Sequence, residues 1–125
     1  NCDKEQIARV FFNLIKNSIE SIHQKFEKNP NFEKKISIEI FQNNDHIKFA
    51  LVDNGLGFSE IEGKIKNILN PYFTTKKKGT GLGLSIVNKI LNDHNSKINF
   101  IKQKSGAKIV INFSNNGNWN TYYWW

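Results

Sequence analysis

The chain reads as an α+β domain with helices packed on one face of a mainly antiparallel sheet, and three observations predict it. An amphipathic stretch without proline or glycine opens the chain, two pairs of alternating apolar runs are each split by turn residues, and a second helical repeat lies between the pairs.

The first helix is expected over about residues 3–26, because Asp3 and Gln6 have capping-box spacing and no proline or glycine occurs before Pro30. At about 100° per residue, Ile7, Val10, Phe11, Leu14, Ile15, Ser18 and Ile22 share one broad arc. Gln6, Arg9, Asn13, Asn17, Glu20 and Gln24 share the opposite one. Two strands follow, residues 35–42 (KISIEIFQ) and 46–53 (HIKFALVD), around the turn residues Asn43, Asn44 and Asp45. Residues 59–69 read as a short, poor helix stopped by Asn70-Pro71. Residues 82–94 place Leu84, Val87, Ile90 and Leu91 at helical spacing, and strands over 96–104 and 107–113 flank a Ser105-Gly106 turn. Residues 1–114 are thus read as one domain, and residues 115–125 (NNGNWNTYYWW), which have no period, as a tail or docking peptide.

Length and composition agree with a single core: 125 residues, 38% hydrophobic, and no apolar run long enough to span a membrane. The polar start shows no signal-peptide pattern, and one cysteine, Cys2, permits neither an internal disulfide nor a cysteine-based zinc site. A net charge of +7 suits a polyanionic partner, but 17 of the 18 basic residues are Lys, a bias that A/T-rich codons alone produce. With Arg9 as the one arginine, nucleic acid is not expected as a partner.

Three sets of residues could carry chemistry. Asn13 and Asn17 stack one turn apart on the polar face of the first helix, with Lys16 and Glu20 beside them. This is either a solvated face or a pair of carbonyl ligands for a hard cation. In LVDNGLGF, Asp53 keeps the parity of Ile47, Phe49 and Leu51, so its carboxylate should point to the core side, where it needs partners. Asn54, Gly55 and Gly57 then make either an ordinary turn or a close backbone approach to a ring whose amine the carboxylate accepts. In KKKGTGLGLSIV the glycines Gly79, Gly81 and Gly83 alternate into a helix start. This stretch follows a loop rather than a strand and lacks GK[ST], so neither the dinucleotide fingerprint nor the Walker pattern fits.

In order, NLIKN, DNGLGF, PYFTTK and GTGLGLSIV resemble the N, G1, F and G2 boxes of the ATP-binding domain of sensor histidine kinases. That domain is part of the gyrase, heat-shock chaperone, histidine kinase and MutL superfamily. The wording YFTTKKKGTGLGLSIV looks most like the NtrY-type nitrogen-regulation kinases. The resemblance implies a two-layer α/β sandwich of the Bergerat type with a mixed, mainly antiparallel sheet, binding ATP and Mg²⁺. It implies that Asn17 holds Mg²⁺ between the phosphates and that Asn13 and Lys16 reach the same region. Asp53 would read the adenine amine, with Gly55 and Gly57 close to base and ribose. Phe73, Thr74, Thr75 and Lys76, with Gly79, Thr80, Gly81, Leu82 and Gly83, would form a lid over the phosphates, carrying Lys76, Lys77 and Lys78.

Superfamily ATPases place a Glu where this chain has Asn13, which cannot accept a proton from water. The resemblance therefore implies γ-phosphoryl transfer to a protein histidine rather than hydrolysis. None of His23, His46 and His94 lies in an HExxxP-type context, so the acceptor is expected on a separate dimerisation domain that passes the group to a response regulator. His94 is expected to end a helix, where a cation suits the dipole. A degenerate module that senses ATP without catalysis is the alternative. The fragment is expected to be cytoplasmic without inserting into a membrane, its full-length protein anchored in the bacterial inner membrane.

Overall fold

The computed structural model describes residues 3–58 and 83–114. Among these residues six elements occur in chain order: α1 (Lys4–Lys28), β1 (Ile36–Gln42), β2 (His46–Asp53), α2 (Gly83–Asp93), β3 (Ser96–Lys102) and β4 (Ala107–Ser114). The expected helix at 59–69, the PYFTTK stretch and the tail at 115–125 lie outside the described residues.

Asp3 is the N-cap of α1, and its carboxylate accepts from the N–H groups of Glu5 at 3.0 Å and Gln6 at 3.2 Å. The capping box is completed by a different partner than the spacing suggests. The Asp3 N–H donates to His94 Nε2 at 3.1 Å, while Nδ1 of the same ring lies 2.7 Å from the Ile90 carbonyl. A backbone N–H can only donate, so Nε2 accepts and Nδ1 carries the hydrogen. His94 follows α2, as expected from its place after a helix, and is a buried clasp between the end of α2 and the start of α1. His94→Leu keeps the volume but strands the Asp3 N–H and leaves the Ile90 carbonyl only its bond from the residue-94 backbone N–H, and is expected to cost about 2 kcal/mol, read as a lower urea midpoint. Nucleotide affinity should not change, since His94 sits at the far end of α1 from Asp53.

The sheet order is β1-β2-β4-β3, and all three pairings are antiparallel. The resemblance implied a mixed sheet; the four described strands contain no parallel pair. Asn43 makes the first turn, its side-chain carbonyl accepting from the N–H groups of Asp45 and His46. The second turn takes residues 103–106, so β3 stops at Lys102 rather than at the expected Lys104. Its Gly106 has φ +85°, a backbone that glycine adopts without a Cβ penalty.

The period-2 pattern sends Phe49 and Leu51 of β2, and Ile109, Ile111 and Phe113 of β4, to one face. There they meet Ile7, Val10 and Leu14 of α1 and Val87, Ile90 and Leu91 of α2. α1 runs beside α2, α1 lies over β2, and α2 lies over β3. The apolar arc of α1 matches its buried residues Ile7, Val10, Leu14, Ser18 and Ile22. The result is two layers, helices over a sheet.

Candidate functional site

β2 ends on Asp53, which keeps the inward parity of Leu51 and is only 5% exposed. Burying a carboxylate costs several kcal/mol unless donors meet it. Two donors do: the Ser18 hydroxyl reaches Oδ2 at 2.8 Å, and the Gly55 N–H reaches Oδ1 at 2.9 Å. Each oxygen keeps a further lone pair with which to accept from a ligand.

The chain then crosses the end of the sheet in residues 54–58, held at every step. The Asn54 side chain accepts from the Lys35 N–H at 2.9 Å and donates to the Glu33 carbonyl at 2.6 Å, tying the loop to the start of β1. A Cβ on Gly55 would collide with Ser21 Oγ and lie 2.8 Å from the Ile22 nitrogen, so the loop lies flat on α1. The Leu56 N–H donates to Ser21 Oγ at 2.9 Å. Gly57, with φ +72°, turns the chain against the Gly106 carbonyl. Phe58 then meets Phe100 of β3 edge-on, ring centroids 5.7 Å apart. From the α1 side, Lys25 Nζ donates to the Asn54 carbonyl at 2.8 Å and to Ser105 Oγ at 3.0 Å, joining helix, loop and hairpin turn through one cation.

The second wall is the polar stripe of α1. Asn13 donates to the Arg9 carbonyl at 2.9 Å, and its Oδ1 lies 3.5 Å from where a Gly83 Cβ would stand, which puts the start of α2 beside it. Asn17 is half-buried one turn on, and Lys16 is exposed. Residues 13 to 18 rise about 7.5 Å along the helix, which sets the Gly83 end of the stripe that far from Ser18 and Asp53. The first turn of α2 itself carries no acidic residue to offset its positive end.

Gly83 thus meets α1 at Asn13, Asp53 meets it at Ser18 and Gly55 at Ser21 and Ile22, with Asn17 between these levels on the helix and Gly57 beyond, against Gly106. Phe73, Thr74, Thr75, Lys76, Gly79, Thr80, Gly81 and Leu82 lie outside the described residues. Such a flank pairs an acceptor for a base at one end with a helix start suited to an anion at the other.

Comparison with known proteins decides the family. The profile described as "Histidine kinase-, DNA gyrase B-, and HSP90-like ATPase" matches residues 2–116. The chain belongs to this family. Within the histidine kinase-, gyrase B- and HSP90-like ATPases, its relatives include a putative NtrY-like sensor histidine kinase of Rickettsia conorii. That protein is 37% identical over 114 residues, covering 90% of this chain and 18% of the relative. Sporulation kinase E of Bacillus subtilis is 31% identical over 113 residues, covering 90% of this chain and 14% of the relative. This chain thus spans less than a fifth of either protein. Among solved structures, the nucleotide-free catalytic domain of histidine kinase ThkA superposes with TM-score 0.73 at 30% identity, covering 90% of this chain and 68% of that one. The histidine-kinase likeness and the two-layer α+β fold read from the sequence are both borne out.

In this ATPase domain the supporting residues were the harder ones to find. Ser18, Ser21, Lys25, Asn54 and Gly106 hold Asp53 and its loop; four of them lie outside the boxes, and Asn54, inside DNGLGF, had no role of its own there. Ser18 did leave a signal: it is a hydroxyl on the apolar arc of α1, and a buried hydroxyl needs a partner. Asp53 is a polar group with inward parity at the end of its strand, so Ser18 was a candidate partner for it from periodicity.

Proposed function

We propose that this chain is the ATP-binding catalytic domain of a two-component sensor histidine kinase. It transfers the γ-phosphoryl group of ATP to a histidine on a separate dimerisation domain, and through that domain serves a response regulator. The observation that carries the reading is the buried Asp53 carboxylate, fixed by Ser18 and Gly55 at one end of an α1 flank whose other end, Asn13, borders the start of α2.

Asp53 accepts the adenine amine, and Gly55 and Gly57 leave room for base and ribose. Asn17 offers a side-chain carbonyl to Mg²⁺, with Asn13 and Lys16 near the phosphates. This donor set fits the ion: Mg²⁺ commonly takes one or two protein oxygens and completes its shell with phosphates and water. When bound, Mg²⁺ neutralises the charge that develops on the phosphates.

Asn13 stands where a general base for water would be needed and cannot serve as one. The acceptor imidazole is then the better nucleophile, taking the γ-phosphoryl group as ADP leaves. Phe73, Thr74, Thr75, Lys76, Gly79, Thr80, Gly81, Leu82 and Gly83 are assigned to the lid that excludes water. The full-length protein works from the cytoplasmic side of a bacterial inner membrane. Among the described residues no helix is long and apolar enough to cross a membrane.

The test is transfer in trans. The domain is incubated with Mg-ATP labelled at the γ-phosphate and an acceptor-histidine hairpin from a related kinase. Acid-labile, base-stable label on the hairpin is expected, and Asn17→Asp should abolish it. Tight Mg-ATP binding with no phosphohistidine, where a related active domain labels the same hairpin, would contradict the proposal.

A further inference from the structure

The flank of α1 away from α2 is apolar and exposed. Phe12, Ile15 and Ile19 recur at i, i+3 and i+7, and Phe12 is 68% and Ile19 54% exposed. α2 lies toward β3 and α1 over β2, so this flank overlooks β1, the edge strand of the sheet among the described residues. β1 presents Ile38 and Ile40 on the same side, paired with Leu51 and Phe49, at 48% and 71% exposure. The levels agree: Phe11 packs on Phe49 with ring centroids 4.7 Å apart, which sets its neighbour Phe12 at the height of Ile40. Four large apolar side chains exposed along a helix flank and an edge strand are more than scattered surface hydrophobics, and an open apolar edge invites association.

We propose that residues 115–125 dock on this patch, within the same molecule. Their starting point favours it. β4 ends at Ser114 opposite His46, and Ile47 pairs with Gln42, so the segment leaves the sheet at the Ile40 end of β1. Eleven extended residues reach about 36 Å, whereas Ile40 lies two strands across and a few residues along, roughly 14 Å away. Composition favours it too: the segment carries Trp119, Tyr122, Tyr123, Trp124 and Trp125 and no charged residue. The opposite sheet face is a poorer seat, because the depression there is lined by Glu39, Asn43, His46, Lys48, Lys108 and Asn112 beside Phe41 and Ala50.

All three tryptophans of the chain lie in this segment, so indole emission reports on it alone. In the intact chain, emission should be blue-shifted from free tryptophan and protected from acrylamide, equally so on dilution. Phe12→Ser with Ile40→Ser should shift emission to the free-indole position and remove the protection, and both sites are exposed enough for the fold to persist. Phe41→Ser, on the opposite face, should change neither. The proposal is overturned by free-indole emission in the intact chain, by a shift with Phe41→Ser instead, or by protection that appears only as dimers form.

Discussion

Asp53→Asn is expected to weaken Mg-ATP binding by roughly a hundredfold or more, with little change in urea midpoint. The reason lies in how the side chain is already held. Its two oxygens accept from the Gly55 N–H and the Ser18 hydroxyl. An asparagine must keep its carbonyl toward Gly55, because an amide NH₂ there would meet another N–H head-on. Its NH₂ then donates to Ser18 Oγ, which preserves the fold, and turns its second hydrogen toward the ligand. The adenine amine would meet a donor in place of an acceptor. Ser18→Ala is the milder companion: it leaves the carboxylate in place but removes one of the donors that orient it, and should cost about 1–3 kcal/mol of stability. Calorimetric titration with Mg-ATP and urea melts of the three proteins separate binding from folding.

Gly106→Ala is expected to be the most destabilising single-methyl change in the described part of the chain. A Cβ at Gly106 would fall on the Asp53 carbonyl oxygen and stand 2.7 Å from Asn54 Cα, and both neighbours are backbone that cannot swing aside. With φ at +85°, an L-residue also pays about 1–2 kcal/mol for the left-handed conformation. Together with the displacement forced on residues 53 and 54, the cost should exceed about 3 kcal/mol, lowering Tm by roughly 15 °C. The shift is aimed at the carboxylate proposed to read the base, so whatever protein remains folded should also bind ATP more weakly. Differential scanning calorimetry gives the first number and titration below the new Tm the second. An unchanged Tm would mean that the β3–β4 turn does not press on the end of β2.

Why some of this was legible beforehand and some not follows from the range of the forces involved. Periodicity is local, so the strand at His46–Asp53 and the buried arc of α1 were readable, and with them the inward aim of Asp53. The length of β3 was overstated by two residues, because Gln103 and Lys104 extend the run in sequence but are needed to close a turn onto Gly106. The capping box at Asp3 was half right. Local spacing offered Gln6, and a ring that is 91 residues away in sequence took the N–H instead. Gly106 looked like an ordinary hairpin glycine, since the groups that require it, the backbones of Asp53 and Asn54 and the turn at Gly57, arrive only when the sheet closes. In the same way Lys25, one of 17 lysines, gave no sign that it would bridge a loop and a hairpin.

If Asp53 makes this flank of α1 an adenine site, the domain must tell adenine from guanine. The most direct measurement is a paired calorimetric titration of the unmodified chain with Mg-ATP and Mg-GTP. Guanine carries a carbonyl where adenine carries its amine, so two acceptors would face each other across the site. Saturable binding of ATP and no measurable binding of GTP is the predicted result; equal binding of the two, or binding of neither, would contradict it.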